Sequence, residues 1–112
     1  GAVQHDAIFA AVSHLPHVLS YALMVSVMNS EDAQEKLQHA GAGFRDFTRI
    51  AASSPEMWRD ICLANKSAIL QELDQYLVIA KALRELIAKE DSQALEKVFL
   101  KASEARKRWE ES

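Results

Sequence analysis

An all-α fold of about five to six helices is predicted by three features of these 112 residues. Apolar residues recur at steps of three and four over long stretches, the spacing that keeps one face of a helix apolar. No strand-length run alternates apolar and polar residues or concentrates β-branched side chains. Start signals stand where one periodic stretch gives way to the next, most clearly Ser54-Pro55 and Asp91-Ser92.

The first segment, about residues 5 to 28, carries Ile8, Phe9, Val12, Leu15, Val18, Leu19, Leu23, Val25 and Val27. A helix apolar on nearly every side is expected to be buried on every side. Pro16 lacks an amide hydrogen and should kink or divide this helix. Ser30 is placed to cap a short polar helix over Glu31 to His39, with Glu31 and Asp32 in its first turn. Gly41 then reads as that helix's C-terminal cap, and Arg45 to Ala52 as a further short helix.

Ser54 supplies a capping hydroxyl and Pro55 occupies the first helical position of the next element. Ile69, Leu73, Tyr76, Ala80, Leu83 and Ile87 then follow one another at steps of four and three, so a long helix runs from about Lys66 to Lys89. Leu70, Leu77 and Leu86 give it a second apolar stripe. Asn65 is a candidate cap for it, and a continuous helix from Pro55 is the alternative. Asp91 or Ser92 opens the last helix, whose stripe is Leu95, Val98, Phe99, Ala102 and Trp109. Helices with more apolar surface than a chain of this length can hide point to an obligate helical dimer.

The length fits one domain, so residues 1–112 are read as a single helical domain. A formal charge of −3 argues against a nucleic-acid partner, which needs a basic patch. Only Lys97 to Arg108 is locally basic. The lone Cys62 has no internal partner for a disulfide. The longest nearly apolar run, Val18 to Met28, is too short to span a bilayer, and no leader is visible. The composition therefore predicts a soluble, cytoplasmic protein without a membrane partner. The chain begins at Gly1 rather than Met, as a piece preceded by another domain would.

Two stretches carry candidate chemistry. His5, Asp6, His14 and His17 concentrate on the first helix. A metal site wants three ligands with an ordered surround, and Pro16 disturbs the His14–His17 pair, so no metal is predicted. A neutral imidazole offers one donor and one acceptor and suits a carbonyl or hydroxyl. The second stretch, Gly41 to Asp60, sets Gly41 and Gly43 ahead of Arg45, Arg49, Trp58 and Arg59. In one reading the glycines are caps, the arginines are solvated and Asp46 pairs with Arg49. In the other, bare backbone at Gly43 admits a ligand whose carboxylate meets the planar fork of Arg49. Cys62 lacks an activating neighbour in sequence and reads as a small buried residue.

His5-Asp6, Ser13-His14-Leu15-Pro16-His17, Gly43-Phe44-Arg45-Asp46-Phe47-Thr48-Arg49-Ile50-Ala51 and Pro55-Glu56-Met57-Trp58-Arg59-Asp60 occur in that order. Together they resemble the C-terminal domain of the prephenate dehydrogenases, which include cyclohexadienyl and arogenate dehydrogenases of tyrosine biosynthesis. The resemblance covers nearly the whole chain. It implies a substrate-binding and dimerisation domain of the 6-phosphogluconate-dehydrogenase-like C-terminal type, forming a homodimer. It also implies a preceding nucleotide-binding domain that holds NAD or NADP and supplies the catalytic histidine. No Gly-x-Gly-x-x-Gly stretch occurs in these residues, and none of His5, His14, His17 or His39 is given the catalytic role. By the resemblance, Arg49 grips a carboxylate of prephenate or arogenate and His17 faces the substrate's side chain. His5, Asp6 and Trp58 surround the pocket, and Gly43 admits the ligand. The implied reaction is oxidative decarboxylation, in which a ring carbon gives up hydride, carbon dioxide leaves and the ring becomes aromatic. Family members often read Gly-Gly-Gly where this chain has Gly41-Ala42-Gly43, so Ala42 adds a methyl near the pocket. The alternative from another class is a non-catalytic helical interaction or metal-binding module built on His5, Asp6, His14 and His17.

Overall fold

A computed structural model describes all of residues 1–112; six helices and short connections make up the chain, and no strand forms. They are α1 (Ala2–Met28), α2 (Ala33–Gln38), α3 (Ala42–Thr48), α4 (Pro55–Ala64), α5 (Lys66–Ala88) and α6 (Ser92–Glu111). A 3₁₀ turn, Arg49–Ala52, extends α3. The chain divides into two compact units, Gly1–Leu73 and Asp74–Ser112, and α5 contributes residues to both.

Pro16 neither breaks nor ends α1. The five residues before Leu15, Ala10–His14, form a π turn, and the Leu15 amide donates to the Ala10 carbonyl five residues back. In a regular helix the proline ring meets the carbonyl four residues earlier; the wider turn makes room for it. The helix therefore runs 27 residues, long and apolar enough to cross a membrane by length and composition. This corrects the expectation drawn from the Val18–Met28 run alone, because the helix continues through less apolar residues to Ala2. The expectation of burial on all sides is also corrected. Of α1, only Ala10, Leu15 and Ser20 are buried, while Val3, Ile8, Val12, Val25 and Met28 are exposed. Its second half meets α2, α3 and the 3₁₀ turn, which cover one side of it and leave the rest without a partner in this chain.

Two capping expectations change as well. Both the hydroxyl and the amide of Ser30 donate to the Val27 carbonyl, so Ser30 closes α1 instead of opening α2. Asp32 stands at the start of α2 and pairs with Lys36 at 3.1 Å. The Lys36 ammonium holds the Asp32 carboxyl below its ordinary range. Gly41 adopts extended backbone (φ −94°, ψ −172°) ahead of α3, so it precedes a helix rather than ending one. Ser54 and Asp91 cap as expected, each accepting a backbone amide, from Met57 at 3.3 Å and from Ala94 at 3.1 Å.

In the first unit, Trp58 of α4 and Ile69 of α5 join Ala10 and Leu15 as buried apolar residues. Tyr21 ties α1 to the turn before α4 by donating to the Ser53 carbonyl at 3.0 Å. No residue of the second unit is buried. Its α5–α6 turn closes with the Glu90 amide on the Ile87 carbonyl and the Asp91 amide on the Leu86 carbonyl. That bond pair is a Schellman motif, which calls for a left-handed residue, and Glu90 fills the position at φ 54°.

Candidate functional site

The chemistry of the first unit gathers where α1, α4 and the start of α5 meet. His14 and His17 lie on either side of Pro16, and both reach Trp58. The His17 ring stacks on the indole, with centroids 3.7 Å apart and planes 16° from parallel. His14 meets the same indole edge-on at 5.9 Å. Trp58 is only 8% exposed, and its buried indole N–H has no partner in the chain.

Hydrogen bonds set the polarity of both imidazoles. Nδ1 of His17 lies 2.8 Å from the Ser13 carbonyl. A carbonyl only accepts, so Nδ1 carries a proton, and the neutral ring therefore keeps its lone pair on Nε2. Nδ1 of His14 lies 3.1 Å from the Asn65 side-chain amide nitrogen. That nitrogen is also 3.0 Å from the Asp6 carbonyl. An amide nitrogen only donates, so Nδ1 of His14 accepts and its proton sits on Nε2. The two histidines thus show opposite polarity at Nε2, and neither Nε2 is bonded within the chain.

The other predicted residues are arranged differently. His5 packs edge-on against Phe9, 4.5 Å between rings. Asp6 takes part through its backbone carbonyl; its carboxylate makes no ion pair. Arg49 opens the 3₁₀ turn and, with Arg45 and Phe44, lines a cleft of about 460 Å³ bounded by Leu37 and Ala40. Asp46 does not hold Arg49: the chain's ion pairs are Lys36–Asp32, Arg59–Asp60, Arg84–Glu85 and Arg106–Glu110. Arg45 and Arg49 therefore present guanidinium groups free of carboxylates on one cleft. A separate apolar cleft of about 340 Å³ runs beside Trp58, Tyr21, Pro55 and Cys62. Within one chain, then, Arg49 and Trp58 line different clefts.

A side chain added at Gly43 would meet nothing within 4 Å, so nothing within the chain requires its bareness. No three His, Cys, Asp or Glu side chains converge, and the metal-module alternative lacks a third ligand near His14 and His17. Asn65 is the residue sequence reasoning undervalued. Read as a cap for α5, it turns its amide to α1 instead. The visible signal was a polar residue at a helix junction, but its partners lie 51 and 59 positions away.

Residues 1–101 match the family described as prephenate dehydrogenase, dimerization domain. The chain is 40% identical over 107 residues to cyclohexadienyl dehydrogenase of Zymomonas mobilis, covering 94% of this chain and 36% of that protein. It is 38% identical over 104 residues to prephenate dehydrogenase of Bacillus subtilis, covering 92% and 28%. Among solved structures, arogenate dehydrogenase of Synechocystis superposes with a TM-score of 0.89 at 27% identity, over 95% of this chain and 39% of that one. Prephenate dehydrogenase of A. aeolicus, in complex with hydroxyphenyl propionate and NAD+, superposes at 0.76 with 36% identity, over 90% and 37%.

The fold and the matched residues define an all-helical dimerisation module. The chain belongs to the prephenate dehydrogenase dimerisation-domain family. It spans roughly a third of the length of the curated relatives it matches.

Proposed function

We propose that residues 1–112 form one helical substrate-binding and dimerisation domain of a prephenate dehydrogenase. The complete protein would convert prephenate to 4-hydroxyphenylpyruvate in tyrosine biosynthesis, in the cytoplasm and away from membranes, with arogenate as the alternative substrate. The observation that carries this is the pair of histidines of opposite polarity held against Trp58, in a chain whose Arg49 lines a cleft without an ion-pair partner. An aromatic wall, one donor, one acceptor and a permanent cation suit a ring bearing a hydroxyl and a carboxylate. The A. aeolicus relative, crystallised with hydroxyphenyl propionate, binds a molecule of that description.

The residues present do not fit a nicotinamide dinucleotide. There is no strand-turn-helix unit and no glycine-rich phosphate loop, and α3 behind Gly41 is only seven residues long. NAD or NADP, which accepts the hydride, is assigned to a nucleotide-binding domain in the complete protein, together with the catalytic base. The residues here bind and orient. Arg49 fixes the carboxylate, Trp58 excludes water from the ring, and the two Nε2 atoms read substrate oxygens. His5 and Asp6 support the rim, and Gly43 admits the ligand. Orientation is the larger part of the task, because aromatisation itself drives the loss of carbon dioxide. Since Arg49 and Trp58 line separate clefts in one chain, closing a single pocket over the substrate falls to the second subunit or the nucleotide-binding domain.

Turnover by the full-length protein tests this. Reduction of NAD+ or NADP+ dependent on prephenate, with release of carbon dioxide, is the expected result. Failure to reduce either nucleotide with prephenate and with arogenate would overturn it.

A further inference from the structure

We infer that Asn65 is a positioning residue that locks His14 in its Nε2–H tautomer, so that His14 and His17, both against Trp58, offer a ligand one donor and one acceptor. The inference rests on the proposed function for its ligand, an oxygen-bearing ring acid, but the lock itself is a property of this chain alone.

Three observations carry it. First, the orientation of the Asn65 amide follows from its partners. Turned over, its oxygen would face the Asp6 carbonyl 3.0 Å away, acceptor against acceptor. With the nitrogen there, its two hydrogens meet its two acceptors, the Asp6 carbonyl and Nδ1 of His14. Second, neither bond serves α5, the helix that Asn65 precedes. An asparagine at that position ordinarily accepts from the first-turn amides; here the side chain spans to α1 instead. Departure from a local rule marks positions held for another purpose. Third, His17 is set the opposite way by a different device, the Ser13 carbonyl. Without Asn65 nothing in the chain would fix the tautomer of His14, and a free imidazole samples both.

Ring-¹⁵N histidine spectra of the full-length protein test the lock without any substrate. His14 should show the proton on Nε2 and His17 on Nδ1. Asn65→Asp replaces the donor with an acceptor of the same shape, and His14 should invert to Nδ1–H while His17 is unchanged. Asn65→Ala should leave His14 averaging between tautomers. With either variant, KM for prephenate should rise about tenfold, the weight of one misdirected hydrogen bond, with kcat changed less than KM. A wild-type His14 carrying its proton on Nδ1 overturns the inference, whether or not a variant folds. So does a tautomer indifferent to both substitutions. Inversion without any change in KM would overturn the positioning role. A protein that turns over no substrate, yet shows both tautomers as stated, would count against the proposed function and leave the lock standing.

Discussion

The two units of this chain are built to different rules. Gly1–Leu73 owns every buried residue, and its polar groups reach across the sequence: Asn65 to His14 and Asp6, Tyr21 to Ser53. Asp74–Ser112 buries nothing. Its side-chain bonds are local, as in Arg84–Glu85, Arg106–Glu110 and the Asp91 cap. Yet it shows Leu77, Val78, Ile79, Ile87, Val98, Phe99, Leu100 and Trp109 to solvent. A helix with an apolar stripe needs a surface to cover it. The cleft between Ile87, Leu95, Phe99 and Leu100 measures about 840 Å³, and its charged neighbours are Glu90 and Glu96, the wrong sign for a carboxylate ligand. In our proposal the contrast is a division of labour: the first unit presents ligand chemistry, and the second presents surface to a second copy of the chain.

The sharpest way to break this comparison is at Arg49. In the full-length enzyme, Arg49→Ala should lower kcat/KM by roughly two to four orders of magnitude, because it leaves a carboxylate buried and unpaired. Most of the loss should fall on KM, since the carboxylate is charged before and during reaction. Arg49→Lys should restore part of it. Arg59, already paired with Asp60 on an exposed surface, should be mild as Arg59→Ala. A KM for prephenate within about threefold of wild type in Arg49→Ala would remove Arg49 from the site.

Next come Trp58 and Phe99, large aromatic residues of the two units, 8% and 55% exposed. Trp58→Ala should cost about 3–5 kcal/mol of stability at any protein concentration, as core truncations do. Phe99→Glu should act through association. Wild type should melt higher as concentration rises, and the variant should lose that dependence. Sedimentation of wild type as a monomer at micromolar concentration would end the claim that the second unit serves a dimer.

A smaller pair of opposite meaning follows. Gly43 has ordinary backbone and open space at its α-carbon, so Gly43→Ala should stabilise by about 0.5–1 kcal/mol while raising KM. Stabilisation with unaltered KM would show that no ligand approaches there. Glu90 sits at φ 54°, and Glu90→Gly should stabilise by about 0.5–1 kcal/mol through relief of left-handed strain, with KM unmoved. Denaturant midpoints and steady-state kinetics on the same samples separate the two.

The least effect is expected at Asp32. Its carboxyl is held below the ordinary range chiefly by the hydrogen bond from Lys36. A lowered folded-state value means the contribution is present at neutral pH and lost only as pH falls through that value. Both groups are well exposed, and such pairs are worth little. Asp32→Asn should leave the melting temperature at neutral pH unchanged within error.

The all-helical class, the caps at Ser54 and Asp91 and the extent of α5 were legible from the residues, because periodicity and capping are local. Ordered motifs that resemble a family single out Arg49, His17, Gly43, Trp58, His5 and Asp6 as the site we propose. Burial of α1 was not legible: an apolar helix looks alike whether its cover comes from its own chain or from another. Nor was the fate of Pro16, since a π turn depends on how the whole helix is held. Tertiary structure alone decided that Asn65 faces His14 across 51 residues, whereas His17 is set locally by the Ser13 carbonyl four residues back on its own helix. A tautomer follows from which acceptor or donor stands within about 3 Å of the ring, and for His14 that neighbour is chosen by packing between segments distant in sequence.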